Sequence, residues 1–239
     1  MTLVSAVIQA AVRESNVIAP TGQSLTTPQT NEALALLETL ALSAVGNELG
    51  YIMEDWNMTA TVYTRPSGVP LNAAAIAAFT TRPNSRLIFN LAAPATIKID
   101  PQPQDGQRFS VVDAKSNFAT NTLTLDPNGR KIQGGVANLV LNVDDTSKDW
   151  FYRSDLADWV LLGPLVLADE MPFPQEFDDY FTILLAMRLN PRYGRQLDPQ
   201  SKARFDNQQL QFINRYTQSR LRSVPSPAAS NPARSPEGN

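Results

Sequence analysis

The spacing of apolar residues predicts two helices near the start of the chain. In the first, from about Leu3 to Arg13, apolar side chains recur at helical spacing. This stripe consists of Val4, Val7, Ile8, Ala11 and Val12. The second helix begins at Thr26 or the residue after it, because a hydroxyl residue followed by Pro28 in the first turn is a common helix start. With Thr26 as the cap, Gln29 completes a capping box, and Gly50 suits a left-handed C-cap.

Between about Arg86 and Val166 the apolar period changes to two, which is typical of strands. The alternating runs are Leu87–Phe89, Ile97–Ile99, Phe109–Val112, Leu123–Leu125, Leu139–Leu141 and Trp159–Leu162. Three turns, Asp105–Gly106, Asn128–Gly129 and Gly134–Gly135, supply the positive φ that tight hairpins need. We therefore predict an antiparallel β sandwich or small barrel for this block.

Helical spacing returns after the β block in two segments. The first has a broad apolar face around Phe177, and Pro191 is expected to end it. The second starts at Asp198 and runs to about Leu221. Its narrow aromatic stripe, set among polar residues, consists of Phe205, Phe212 and Tyr216. Residues 223–239 are rich in Pro and Ser, which predicts a flexible tail.

These elements predict an α+β chain in which a helical domain of about four helices is interrupted by the β block. The helical domain would comprise residues 1–60 and 167–222, the β domain residues 86–166, and the tail residues 223–239. We favour this discontinuous arrangement over two independent domains joined end to end. Neither helical half has enough apolar residues to form a core alone.

The 239-residue sequence contains neither histidine nor cysteine. This composition excludes a Ser-His-Asp triad, a thiolate nucleophile and zinc sites with His or Cys ligands. Catalysis by a pair of carboxylates remains possible with this composition, because glycoside hydrolysis needs only two Asp or Glu residues. The net charge of −3 gives no overall basic surface for wrapping nucleic acid. We predict a structural protein with no enzymatic activity, no metal and no cofactor.

The N-terminal region and the hydropathy of the chain bear on its location. No apolar run reaches the roughly 18–20 residues needed to cross a bilayer. The N-terminus lacks the basic region and cleavage site of a signal peptide. We therefore expect synthesis in a cytoplasm and no contact with a membrane.

Three groups of carboxylates are candidates for site chemistry. Asp144, Asp145 and Asp149 lie in a predicted loop and could bind calcium, but the loop lacks the central Gly and terminal Glu of an EF-hand. We favour solvated loop carboxylates. The doublets Glu54–Asp55 and Asp178–Asp179 could supply a catalytic pair, but adjacent residues on a helix point about 100° apart. Complementation of the helix dipole explains the second doublet.

Two blocks at opposite ends of the chain carry the most specific sequence strings. The first, VSAVIQAAVRESNVIAPTGQSLTTPQTNEALALLETLALS, joins a helix to a second long helix through a short apolar turn at Val17–Ile18 and an LT segment at Leu25–Thr26. The second contains FPQEFDDYF and the RLNPRYG corner at Arg188–Gly194, followed by a long polar helix. In order and spacing these pieces resemble the head-to-tail adaptor, or packaged-DNA stabilisation, family of short-tailed phages. The resemblance covers somewhat under half of the chain.

The middle of the chain departs from that family. The string GQRFSVVDAKSNFATNTLTLDPNGRKI, followed by a hairpin with a Tyr and a Trp, looks like a β module common in phage tail and fibre-associated proteins. This second resemblance implies that the chain either bridges portal and nozzle alone or also anchors a peripheral tail component.

The adaptor resemblance implies a ring of about twelve copies at the head–tail junction of the virion, closed with cyclic symmetry by side-to-side contacts. Its partners would be the portal protein, tail nozzle or fibre proteins, and genomic DNA that passes through without sequence-specific binding. An acidic lumen would let the DNA slide. The residues expected to contact partners are Phe173, Phe177, Tyr180, Arg188, Arg192, Tyr193, Arg195, Phe205, Phe212, Tyr216, Arg220 and Arg222. For the basic corner, helix-dipole complementation and an ion pair are the alternative.

Two other functions remain open from the sequence. The chain could be a tail-fibre or baseplate attachment protein whose β module makes the main contact. It could also be a carboxylate-dependent cell-wall glycosidase, which would require two carboxylates about 5–10 Å apart in a cleft.

Overall fold

The computed structural model describes residues 2–15, 24–45, 53–59, 63–64, 80–81, 83–193 and 198–222, with the backbone alone at 59, 63–64, 192–193 and 218–222. The helices in these ranges are α1 (Val4–Glu14), α2 (Thr27–Ser43), α3 (Asp178–Tyr193) and α4 (Pro199–Arg222), with a 3₁₀ turn at Gln175–Phe177 before α3. The strands are β1 (Glu54–Thr59), β2 (Tyr63–Thr64), β3 (Ser85–Asn90), β4 (Ala95–Lys98), β5 (Arg108–Asp113), β6 (Leu123–Asp126), β7 (Lys131–Ile132), β8 (Leu139–Leu141), β9 (Ser147–Arg153) and β10 (Asp158–Gly163).

The helices follow their sequence signals closely. All five residues of the predicted α1 stripe are buried. At the start of α2, the Oε1 atom of Gln29 accepts a hydrogen bond from the backbone N–H of Thr26 at 3.0 Å, as the predicted capping box requires. The predicted C-cap at Gly50 lies outside the described residues. Pro191 does not end α3, which continues to Tyr193. A proline this close to a helix end removes one backbone hydrogen bond without preventing the final turn.

The strands form two sheets between which the chain alternates. The seven-stranded sheet has the order β2-β1-β3-β5-β9-β10-β7, and the three-stranded sheet has the order β4-β6-β8. From β3 to β9, successive strands belong alternately to the larger and the smaller sheet. The chain therefore coils between the sheets, and side chains from both sheets form one β core.

The predicted antiparallel sandwich or small barrel is wrong. The β region is a β-solenoid-like stack of about three turns with mixed sheets. Strands β1, β3 and β5 are parallel neighbours, which places Trp56, Leu87 and Val111 in register in the buried ladder. Strands β4 and β6 are also parallel, with Ile97 beside Leu125.

The error has a physical cause in the turns. Each of the three predicted hairpin turns joins strands of different sheets: Asp105–Gly106 joins β4 to β5, Asn128–Gly129 joins β6 to β7, and Gly134–Gly135 joins β7 to β8. Positive φ is needed at a solenoid corner as much as in a hairpin. Alternating apolar residues identify a strand but not the direction of its neighbour.

The stack ends where the chain reverses. Strand β8 pairs antiparallel with β6, and β9 pairs antiparallel with β5. Strands β9 and β10 then form a hairpin, in which Ala157 has a φ of +51°. Because β9 and β10 both belong to the larger sheet, β8 is the last strand added to the three-stranded sheet and lies at its edge.

The helical and β regions are joined through β9 and β10. Trp150 and Trp159 point into the β core, whereas Phe151 and Leu162 belong to the helical core. The helical core contains residues of α1 and α2 together with residues of α3 and α4, so the two ends of the chain pack together. Strand β1 lies within the range assigned to the helical domain, yet it pairs with β3. The tail at 223–239 lies outside the described residues.

Candidate interaction surfaces

The aromatic residues expected to contact partners lie inside the chain. Phe173, Phe177, Tyr180, Phe205, Phe212 and Tyr216 are all at most 9% exposed and belong to the helical core. The ring of Tyr180 stacks on Phe205 at 5.4 Å and on Phe212 at 5.2 Å, with interplanar angles of 13° and 14°. Because α3 and β9 cover the narrow stripe of α4, these side chains pack within the subunit and present no surface to a partner here.

The basic residues of the same prediction lie elsewhere. The Arg188 side chain is exposed on α3. For Arg192 and Tyr193 the structure gives the backbone of α3, and for Arg220 and Arg222 the backbone of α4. Arg195 lies outside the described residues. A contact between these residues and a partner stays a prediction.

A cluster of charged side chains joins α4 to the β region; we call it the junction cluster. Its members are Asp105, Arg153, Asp155, Glu176 and Arg215. Arg215 pairs with Asp105 at 3.3 Å, approaches Asp155 at 3.9 Å and donates a short hydrogen bond to Glu176. These contacts connect the corner before β5, the β9–β10 turn and the 3₁₀ turn before α3. The sequence marked Asp105 as a turn residue and gave no signal for the cluster.

Arg153 is the buried member of the junction cluster. Its side chain is 4% exposed, pairs with Asp155 at 2.7 Å and donates to the carbonyl of Phe173 at 3.3 Å. The hydrogen bond from Arg153 lowers the pKa of Asp155. A buried guanidinium needs such a partner, because an unpaired buried charge is strongly destabilising.

Next to the junction cluster, the backbone of the β4–β5 corner lies against a ring of α4. Gly106 has a φ of +83°, and a methyl group there would lie 2.6 Å from Cδ1 of Tyr216. Tyr216 is fully buried, and burial raises its pKa well above the usual range. Glycine is therefore required at this corner both for its backbone conformation and for the space it leaves.

Three exposed valines lie around the last strand of the smaller sheet; we call them the valine edge. Val136 is 75% exposed, Val140 in β8 is 50% exposed and Val143 is 65% exposed. Val140 lies opposite Thr124 of β6 on the outer face of the sheet. An exposed apolar strand at a sheet edge is a surface on which other chains commonly pair.

The carboxylates considered for calcium or catalysis have structural roles. Asp144 accepts from the backbone N–H of Ala119 at 2.8 Å, and Asp145 accepts a short hydrogen bond from Ser116. These two therefore hold the loop after β5. Asp149 pairs with Arg108 at 2.6 Å. In the described part of the chain, no group of three or more acidic residues is arranged to hold a metal ion.

The two carboxylate doublets are likewise engaged in local contacts. Asp55 pairs with Arg86 at 2.6 Å, and Asp179 approaches Arg204 at 3.5 Å. Burial raises the pKa of Asp178 in the first turn of α3. Asp178 and Asp179 therefore differ in environment.

The sequence matches no protein-family model and no curated protein. No helix in the described ranges is long and apolar enough to cross a membrane.

Proposed function

We propose that this chain is a structural subunit of the connector ring that docks beneath the portal of a short-tailed phage, joins the tail and surrounds the DNA path. The observation that carries the proposal is the shared core of the two blocks that resemble adaptor proteins. Helices α1 and α2 from the first block pack on α3 from the second, although the β region separates them in sequence. A frame built from both blocks is what an adaptor fold would require.

Polar contacts close this frame at both ends. Near the start of α1, the backbone N–H of Val4 donates to the carbonyl of Asp169 at 2.9 Å. Near its end, Glu14 accepts from Arg204 of α4 at 2.7 Å and from Ser201. A frame fixed in this way can present the outer surface of α4 to a neighbouring subunit without rearrangement.

Among the α4 side chains that the structure describes, the outer surface is mostly polar, and Leu210 is its one large exposed apolar residue. Leu210 is 60% exposed, and Lys202, Asp206 and Gln211 are exposed around it. Because the aromatic stripe is buried, we assign the side-to-side contact to this outer surface rather than to the aromatic residues. Polar surfaces with a central apolar residue are typical of interfaces between subunits that fold before they assemble.

The mass and shape of the assembled protein test the proposal. Full-length chain would be mixed with the portal protein of its phage and examined by native mass spectrometry and electron microscopy. We expect a closed ring of about twelve copies that co-purifies with the portal. A trimer, or a monomer that never joins the portal, would contradict the proposal.

Two matched substitutions locate the contact. Leu210→Glu adds a charge to the outer surface of α4, and Val140→Glu adds the same charge to the valine edge. Both side chains are exposed, so neither change should unfold the chain. We expect ring assembly to weaken for Leu210→Glu and to persist for Val140→Glu.

The valine edge favours a second candidate, attachment of a tail fibre or other peripheral component. Under this candidate, particles carrying Val140→Glu would assemble but lack fibres. Deletion of residues 86–166 is not a suitable test, because it removes Phe151 and Leu162 from the helical core. Fibre-bearing particles with the Val140→Glu chain would rule out this attachment site.

A further inference from the structure

A cavity of about 340 Å³ opens between β10 and the segment that leads to α3. Its size is within the range of sites for small ligands, about 300–1,000 Å³. Its carboxylates are Asp158, Asp169 and Glu170, and Arg153 also lines it. The apolar side chains in its wall include Leu156, Val160 and Leu161. The cavity thus combines an acidic wall with an apolar one.

Asp158 is the unusual residue of this wall. It is 6% exposed, and its Oδ2 atom accepts a hydrogen bond from the backbone N–H of Gly134 at 2.8 Å. Its Oδ1 atom is buried and has no hydrogen-bond partner. Burial raises the pKa of Asp158, and this is partly offset by that hydrogen bond, by Lys131, by the neighbouring backbone N–H of Trp159 and by Arg153. A buried carboxylate with one oxygen that lacks a donor is costly, and a positive charge held beside it offsets that cost.

The charges around the cavity leave it acidic. Arg153 is engaged by Asp155 and by the carbonyl of Phe173, so its charge is already compensated. Lys131 lies opposite Asp158 in the β7–β10 pairing, and its side chain is exposed. Asp169 uses Oδ2 to accept from the backbone N–H of Val166 at 2.7 Å. The carboxylates therefore exceed the uncompensated cations at this wall.

We propose that this cavity binds a primary ammonium or guanidinium group carried on an apolar stem, with Asp158 as the principal acceptor. The cationic head donates to the carboxylate of Asp158 and balances its buried charge, and the stem packs on the apolar wall. The group can belong to a free amine or to a lysine or arginine side chain of another chain. The site does not depend on the function proposed above, since its residues are separate from the outer surface of α4.

Binding of small amines to the full-length chain tests the proposal. Isothermal titration would compare n-pentylamine with 1-pentanol, and the peptide acetyl-Gly-Lys-Gly-amide with the same capped peptide acetylated on Nζ. We expect saturable binding of the two cationic probes and none of the two neutral ones. Asp158→Asn should weaken binding about tenfold or more, because a charge-assisted hydrogen bond is lost. Glu54→Gln, at an exposed position on β1, should leave binding unchanged.

A second substitution protects the test against misfolding of Asp158→Asn. Glu170 is exposed, so Glu170→Gln should fold normally and weaken binding by about two- to fivefold. Binding of both cationic probes supports a site open to free amines, and binding of the peptide alone supports a side chain from another chain. The proposal is overturned if neither probe binds, if folded Asp158→Asn binds them equally well, or if Mg²⁺ or Ca²⁺ binds and the amines do not.

Discussion

Replacing Gly106 with alanine tests whether α4 docks through the close approach of the β4–β5 corner. A methyl group at Gly106 would lie 2.6 Å from Cδ1 of Tyr216. Gly129, at the β6–β7 corner, has nearly the same φ, +86° against +83°, and has no neighbouring atom within 4 Å of the position a methyl group would take. The two substitutions therefore share the backbone strain and differ in the collision.

The expected losses follow from this difference. Holding alanine in the left-handed region costs about 1–2 kcal/mol at either position. At Gly106 the methyl carbon would also lie closer to Cδ1 of Tyr216 than the ordinary contact distance of 3.4–4 Å. Tyr216 cannot easily move away, because its ring packs against Phe151 at 5.3 Å and Phe212 at 5.1 Å. Overpacking of this kind adds about 1–3 kcal/mol. We expect losses of about 2–5 kcal/mol for Gly106→Ala and about 1–2 kcal/mol for Gly129→Ala.

Urea denaturation would measure these losses. The three tryptophans all lie in the β core, so their fluorescence reports the β region, while far-UV ellipticity reports the helices. Hydrogen exchange should show lower protection of α4 in Gly106→Ala alone. In a Tyr216→Ala background the two glycine substitutions should cost the same. Equal losses in the wild-type background would refute the reasoning, because they would mean that the ring yields freely.

Three further expectations concern the junction between the helices and the β region. Burial raises the pKa of Tyr216, so the folded state favours the neutral phenol. The free energy of unfolding should therefore fall as pH rises above about 10, by up to about 1.4 kcal/mol per pH unit. Tyr216→Phe should abolish this alkaline destabilisation without lowering stability at neutral pH, because the hydroxyl has no hydrogen-bond partner. Unfolding measured over a series of alkaline pH values checks this prediction. The hydrogen bond from Arg153 lowers the pKa of Asp155, so the stabilisation by this carboxylate is present above its unfolded pKa and is lost on acidification. Asp155→Asn should therefore lower the free energy of unfolding at pH 7 by about 1–2 kcal/mol, a small value because Asp155 is partly exposed. The variant should also lose this acid dependence in unfolding titrations. Phe151→Ala should cost about 3–5 kcal/mol and lower the thermal transitions of helices and sheet together, whereas separate transitions would count against a shared core.

The sequence was sufficient for local structure wherever the signal depended on near neighbours. The α1 stripe and the Gln29 hydrogen bond to Thr26 are set within a few residues, and both predictions are confirmed. Strands β3, β4, β5, β6, β8 and β10 were located for the same reason, whereas β7 and β9 were not predicted from their apolar pattern. Their partners depend on contacts between distant residues, such as Leu87 beside Val111 in the parallel ladder. The β9–β10 hairpin was foreseen through the resemblance to a tail-associated β module and not from a turn signal, because its turn uses Ala157 at positive φ instead of glycine.

The surfaces were less predictable than the elements. The aromatic stripe of α4 is narrow, which favoured a contact between subunits, but Phe212 and Tyr216 are enclosed by α3 and β9 of the same chain. A single sequence does not show that β9 contributes to the helical core, because an alternating strand gives the same pattern whatever lies on its two faces. Asp158 carried no motif at all. Its position in the structure, next to a cavity and without a partner for Oδ1, is what distinguishes it.

Neighbouring side chains of β9 belong to different hydrophobic cores. This arrangement limits which segments can replace the β region by recombination. A β module that could be exchanged as a unit would carry its apolar residues inside itself. Here a replacement module would also have to supply an aromatic side chain at the position of Phe151 and an aliphatic one at Leu162, in a hairpin of the same register. Chimeras with breakpoints on either side of the β region should therefore fold only when the incoming hairpin matches the recipient helices.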